Sequence, residues 1–324
     1  MRGLSVNPLC KNLFGKQVSY CPILRPTFIR IARTAVISAI IFCCLACCAI
    51  FALGAEAAEN AMRPPRHPVA LVCPCLAHMR CESVAVAARD GVSLSAWFYV
   101  PDSPNGKAII LLHGVGSNRQ DMVPLGYMFL GHGYSVLEPD LRGHGESGGL
   151  TTYGVLEDCD THVWLDWMDK AGYASRIYGY GASLGAAILL ESLQDETRFR
   201  AVVAESSYFD FPSIAHERIA RALPRGLKWI AFPFVESGLA WARWHDGTDL
   251  RNASAAAGVK YTKVPVLLVH GLLDDKTSPD NSRRLAALDP AAQLWLVPGS
   301  HHADAWRAAP SEFEARVTGW FSTH

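Results

Sequence analysis

From Ser83 onward, short apolar runs alternate with longer stretches in which apolar residues recur at helical spacing. Candidate strands fall at 83–88, 93–100, 108–112, 134–139, 176–180, 201–205, 265–270 and 293–298. The first two flank Arg89-Asp90-Gly91, a hairpin signal. Most of the others are continuously apolar, as strands buried on both faces must be. Helical stretches lie near 121–131, 153–170, 184–194, 280–288 and 309–321. This alternation predicts an α/β fold, an eight-stranded and mostly parallel sheet with helices on both faces. Residues 207–262 break the rhythm and carry Trp229, Phe232, Phe234, Trp241 and Trp244. They read as an inserted helical cap, or as a single lateral helix with loops.

The N-terminal pattern is different. Residues 1–34 hold six Lys or Arg and no Asp or Glu. An uncharged apolar run of 19 residues, Ala35 to Leu53, follows. As a helix it spans roughly 28 Å, close to the thickness of a bilayer core. Cations before the run, and Glu56 and Glu59 after it, predict a single membrane span with the N-terminus in the cytoplasm and the rest of the chain outside. Ala55-Glu56-Ala57 also has the small-x-small form of a signal-peptidase site, so release near Ala57 is the alternative. Residues 54–82, with Pro64, Pro65, Pro68 and Pro74, read as a linker to a domain over 83–324.

Composition narrows the function classes. Half of the 324 residues are hydrophobic and 19% are charged, which supports a sizeable core. Lys+Arg and Asp+Glu are both 30, so the electrostatic footprint of a nucleic-acid partner is missing. Of the ten cysteines, Cys43, Cys44, Cys47 and Cys48 lie within the apolar run, and Cys10 and Cys21 precede it. Cys73, Cys75 and Cys81 cluster after it, where a disulfide among the three is plausible outside the cytoplasm. Cys159 stands alone.

Four segments carry candidate chemistry. Gly181-Ala182-Ser183-Leu184-Gly185 follows a predicted strand and opens a predicted helix. A serine on such a sharp turn exposes its hydroxyl above the sheet, and the helix start aims N–H groups at any oxyanion formed there. His113-Gly114-Val115 ends another strand, and the Val115 N–H pairs with that of Leu184 as oxyanion donor; His113 itself organises the loop. His270-Gly271-Leu272-Leu273-Asp274-Asp275 offers a carboxylate past a strand end, Asp274 being favoured and Asp275 the alternative. Pro298-Gly299-Ser300-His301-His302 presents the base, His302 being favoured over His301. Ser183, Asp274 and His302 then act as nucleophile, orienting acid and general base. Glu205 and Glu138 are candidates for holding a substrate α-amine, or for bonding loops.

Together with Asp140-Leu141-Arg142-Gly143-His144-Gly145-Glu146-Ser147, these segments resemble the α/β-hydrolase superfamily over about residues 83–322, in its esterase and serine-aminopeptidase-like branch. The resemblance implies the same triad, and a structural role for Asp140, Arg142 and His144. It implies a serine hydrolase of ester-type acyl bonds that forms an acyl-enzyme and requires no metal or organic cofactor. The expected partners are a small-molecule acyl substrate and, through residues 35–53, a membrane; the aromatic cap suggests an apolar acyl or aryl group. The rivals are a peptidase or thioesterase of the same fold, and a non-catalytic binding protein on that scaffold.

Overall fold

The computed structural model describes residues 26–70, 73–74 and 78–324; most of the basic N-terminal segment, and Cys10, Cys21 and Cys75, lie outside the described residues. The chain divides into two compact units, Met1–Ala49 and Ile50–His324, and helix α1 (Pro26–Met62) contributes to both. Within α1, the stretch Arg30–Met62 is long and apolar enough to cross a membrane, a property that signal sequences share. The free cysteines Cys43, Cys44, Cys47 and Cys48 are exposed along it.

The larger unit is built on one eight-stranded sheet. Its strands are β1 (Met79–Ala87), β2 (Ser93–Pro101), β3 (Ala108–Leu112), β4 (Ser135–Pro139), β5 (Ile177–Ala182), β6 (Phe199–Glu205), β7 (Val266–Gly271) and β8 (Gln293–Val297). Their spatial order is β1-β2-β4-β3-β5-β6-β7-β8. β1, β2 and β4 pair antiparallel, and every pairing from β4 through β3 to β8 is parallel. All eight expected strands are present, and β1 begins four residues earlier than the alternation suggested. That extension pairs Met79 to Glu82 with Phe98 to Pro101, and the Cys73–Cys81 disulfide fastens the chain just ahead of it.

Helices α2 (Val123–Gly131), α3 (Glu157–Met168), α4 (Leu184–Ser192), α5 (Phe211–Ala222), α6 (Ala231–His245), α7 (Ala255–Tyr261), α8 (Asp280–Ala286), α9 (Ala305–Ala308) and α10 (Pro310–Thr323) complete it. Helix α3 starts later than its periodicity suggested. Thr152 to Gly154 form a turn in which Tyr153 and Gly154 take positive φ, closed by the Glu157 carboxylate on the N–H groups of Thr152 and Gly154. Side-chain alternation along the parallel strands splits the core into two layers. Ala108, Ile110 and Leu112 face one, and Ile109 and Leu111 face the other. Helix α4 is buried at every position, and α7 crosses it at Gly258, where a Cβ would come 1.8 Å from the Leu190 carbonyl oxygen.

The insertion between β6 and β7 is helical, with α5, α6 and α7 joined by short 3₁₀ turns. Asp210 caps α5 by accepting the Ser213 N–H at 2.7 Å. Residues 54–62, expected to open a linker, instead continue α1. Met62 is fully buried in the core layer that also holds Leu112 and Leu184.

Candidate active site

The catalytic candidates all stand at the carboxyl ends of parallel strands, where an open α/β sheet presents its loops. Ser183 follows β5 with φ 55° and ψ −112°, left-handed for a non-glycine residue. Its N–H is held by the Glu205 carbonyl at 2.8 Å. Both motif glycines are required by close approach. A Cβ on Gly181 would lie 2.4 Å from the Gly185 carbonyl oxygen, and one on Gly185 would lie 2.2 Å from that of Leu112. The turn thus packs directly on the end of β3, which brings Gly114 against Ser183.

Ser183 Oγ lies 2.8 Å from His302 Nε2, and His302 Nδ1 lies 2.8 Å from Asp274 Oδ2. The other Asp274 oxygen accepts the N–H groups of Lys276 and Thr277 at 3.0 and 2.8 Å. Burial works against the Asp274 carboxylate, but bonds with His270 and His302 and the Thr277 N–H outweigh it and hold the group well below the usual carboxylate range. It is therefore ionised at any pH where an imidazolium needs a counter-charge. The structure brings these three residues together in an unbroken chain of hydrogen bonds. Asp275 and His301 are exposed instead, and the Asp275 carbonyl accepts from Arg221.

Two cavities meet at Ser183. One, of about 180 Å³, is apolar and runs beneath the cap, lined by Leu184, Phe211, Ile214, Phe234 and a stretch of α1. The other, of about 790 Å³, carries charged groups including Arg221, Lys276 and Asp121 and also reaches His302. Val115 and Arg218 border both. Of the cap aromatics singled out in the sequence, Phe234 alone lines the apolar cavity. Trp229, Phe232 and Trp244 are exposed, and Trp241 stacks on His245. Periodicity over α6 could not separate its inner from its outer face, because both are aromatic.

The supporting residues were only partly readable. His113 and His144 are buried, ring against ring at 5.2 Å. His113 Nε2 accepts the Leu141 N–H and His144 Nε2 accepts the Gly116 N–H, both at 3.0 Å. They staple the loop carrying Val115 to the loop after β4. Burial, reinforced by His144, pushes the His113 pKa down to about 3, and burial also lowers that of His144. Both rings are neutral acceptors as a result. In the same loop, Asp140 binds Arg119 and Arg142 binds Asp160, each pair buried. Glu205 accepts from the Tyr180 hydroxyl and from the Ala305 N–H, and Ser206 Oγ accepts the Ala303 N–H at 3.0 Å. These bonds fix the loop on which His302 rides and leave Glu205 committed to the core. Glu138 is buried beneath α2, where a Cβ on Gly126 would meet its carboxylate. In the sequence His270 served only as the marker four residues before Asp274, with no role of its own; its ring packs at 3.2 Å on Asp274 and bonds Ser282 and the Thr277 carbonyl.

A profile described as the alpha/beta hydrolase family matches residues 109–316, nearly two thirds of the chain. The chain belongs to the alpha/beta hydrolase family. It is 28% identical to the uncharacterized protein YqkD of Bacillus subtilis over 202 residues, 60% of this chain and 64% of that protein. The chain therefore spans a little under two thirds of that relative's length. It is 28% identical to a thermostable monoacylglycerol lipase of a Bacillus species over 124 residues, 36% of this chain and 46% of the lipase. Among solved structures, an esterase of Pyrococcus furiosus superposes with a TM-score of 0.61 at 25% identity, covering 80% of this chain and 98% of the esterase.

Proposed function

We propose that this hydrolase cleaves lipophilic carboxylic esters through a Ser183–His302–Asp274 triad, and that α1 anchors it in a membrane with the hydrolase unit on the extracytoplasmic side. The observation that carries the reading is the hydroxyl of Ser183, bonded to an imidazole and standing at the mouth of an apolar cavity. Ser183 Oγ attacks the acyl carbonyl while its proton passes to His302 Nε2. Asp274 stabilises the imidazolium that forms. The N–H groups of Val115 and Leu184 receive the oxyanion, each such donor being worth about 10²–10³ in rate. The tetrahedral intermediate collapses, the alcohol leaves with the proton from His302, and the acyl group remains on Ser183. Water, activated by the same imidazole, then releases the acid. The apolar cavity suits the acyl chain, and the charged, wider cavity suits the alcohol and the entering water.

The commitment of Glu205 to Tyr180 and Ala305 weighs against an aminopeptidase, which needs a free carboxylate for the substrate amine. The monoacylglycerol lipase and the Pyrococcus esterase among its relatives weigh toward esters. The Cys73–Cys81 disulfide fits an oxidising compartment, and the cation asymmetry around the apolar run fits the same orientation. One experiment addresses all of this. Full-length protein in intact cells is treated with a membrane-impermeant fluorophosphonate and, in parallel, with a permeant one. Labelling by both probes, lost in Ser183→Ala, is the expected result. Labelling by the permeant probe alone would overturn the orientation. Well-folded wild type that resists both would overturn the serine-hydrolase reading.

A further inference from the structure

We propose that the last turns of α1, Ile50–Met62, are a retained part of the mature enzyme, and that Ala57 and Ala61 form the wall that decides which acyl chains fit. This rests on the ester-hydrolase reading above. Gly54, Ala57, Ala58 and Ala61 line the same apolar cavity as Ser183. The stretch Arg30–Met62 is 33 residues long, about 50 Å as a helix, whereas about 20 residues suffice for a bilayer core. The excess belongs to the hydrolase unit, which begins at Ile50.

The segment is tied there by bonds along its whole length. Ser237 Oγ reaches the Ile50 carbonyl at 3.3 Å, and the Trp241 indole N–H donates to Glu59 at 2.9 Å. The Tyr153 hydroxyl donates to the Ala61 carbonyl at 3.0 Å, and the Thr151 N–H donates to that of Met62 at 2.9 Å. Arg63, one residue beyond the helix, pairs with Asp246 at 3.0 Å. Between these ties α1 crosses α6 so closely that a Cβ on Gly238 would sit 2.8 Å from the Gly54 carbonyl oxygen. A cut after Ala57 would carry away Gly54 and Ala57. It would leave the Ala58 ammonium, protonated below about pH 8, inside an apolar wall. The cavity needs the helix whole. Its volume of about 180 Å³ is close to the roughly 150 Å³ that accommodates benzene, so a side chain added at the wall takes a large share of the space.

The test uses full-length enzyme in detergent micelles and p-nitrophenyl esters from acetate to dodecanoate. Ala57→Leu and Ala61→Leu are each expected to lower the ratio of kcat/KM for octanoate to that for acetate by about tenfold. Ala57→Val, a smaller change that any local crowding tolerates better, should shift the ratio in the same direction by less. The intact mass of the purified active enzyme should include residues 50–57. A chain-length profile that stays the same in folded, probe-reactive variants overturns the proposal, as does an active enzyme that begins at Ala58. Wild type that fails to label with fluorophosphonate is a different result, since it removes the ester-hydrolase reading and not the wall.

Discussion

The loops at the carboxyl edge of the sheet and the cap that faces them are made from different chemistry. The loops are held by buried polar bonds: His113 to Leu141, His144 to Gly116, Asp140 to Arg119, Glu205 to Ala305, Ser206 to Ala303. Such bonds are directional and costly to leave unmade, so they fix atoms to the fraction of an ångström that proton transfer needs. On its inner side, the cap presents Ile214, Phe234, Val235 and Leu239 to the cavity. Apolar contact is non-directional and scales with area, so it sets what fits without fixing where one atom sits. In the proposed ester hydrolysis the two regions would divide the work: the loops would determine whether the reaction occurs, and the cap with α1 would determine on what.

That division breaks most clearly at the acid. Asp274→Asn should lower kcat/KM by about 10⁴ on every ester alike, because it upsets the tautomer of His302 and leaves the cavity unchanged. Asp275→Asn should stay within a factor of two or three. A loss at Asp274 that depended on acyl length, or a comparable loss at Asp275, would show that the loops and the binding surface are not separable.

A weaker stress should reach the loops before the cap. The folded pKa of His113, about 3, lies below the ordinary 6.5, and that of His144 is also lowered. The folded state refuses protons that the unfolded chain accepts. Their contribution is therefore complete above about pH 6.5 and declines as pH falls toward 3, for His113 by on the order of 2–4 kcal/mol. Urea midpoints measured between about pH 7 and pH 4 should fall accordingly. In His113→Gln, which keeps an acceptor for the Leu141 N–H, the acid slope should be shallower. An unchanged slope would mean that the staple titrates no differently folded than unfolded.

The same contrast explains what could be read from the chain alone. Parallel strands such as Ile109–Leu112 and Val266–Val269 are continuous apolar runs, and Ser183, Asp274 and His302 each lie at or a few residues beyond a strand end, so the fold and the candidate positions could be read from the same pattern. Choosing Asp274 over Asp275 rested on its spacing from His270 and the family pattern, and His302 over His301 on the motif ending; the bond geometry links Ser183 to His302 and His302 to Asp274. The cap was legible as an insertion, but its aromatic residues did not reveal which face is inward. The reach of α1 into the hydrolase unit was hidden for a physical reason. Gly54, Ala57, Ala58 and Ala61 are small, and small residues match a signal-peptidase site and a close helix crossing equally well.

The smallest effect concerns the support beneath the loops. Glu138, at the end of β4, is buried, and burial pushes its pKa up to about 8 against the pull of Tyr99 and Arg119. Glu191 on α4 is pushed to about 8 by burial as well. For both, the folded pKa lies above the ordinary value of 4.5. The folded state holds protons that the unfolded chain releases, so the contribution is complete below about pH 4.5 and is lost as pH rises through 8. This is the opposite sign to the histidine staple, and the two together favour a stability maximum between them. Glu138→Gln keeps the shape and removes the alkaline slope that Glu138 contributes. It should match wild type near pH 5 and exceed it by about 1–3 kcal/mol near pH 9, read from urea midpoints. Because Gly126 of α2 packs directly on that carboxylate, the gain should appear without any change in acyl-chain preference. A shifted preference would mean that the sheet edge and the cap are coupled through α2, and the division between them would have to be redrawn there.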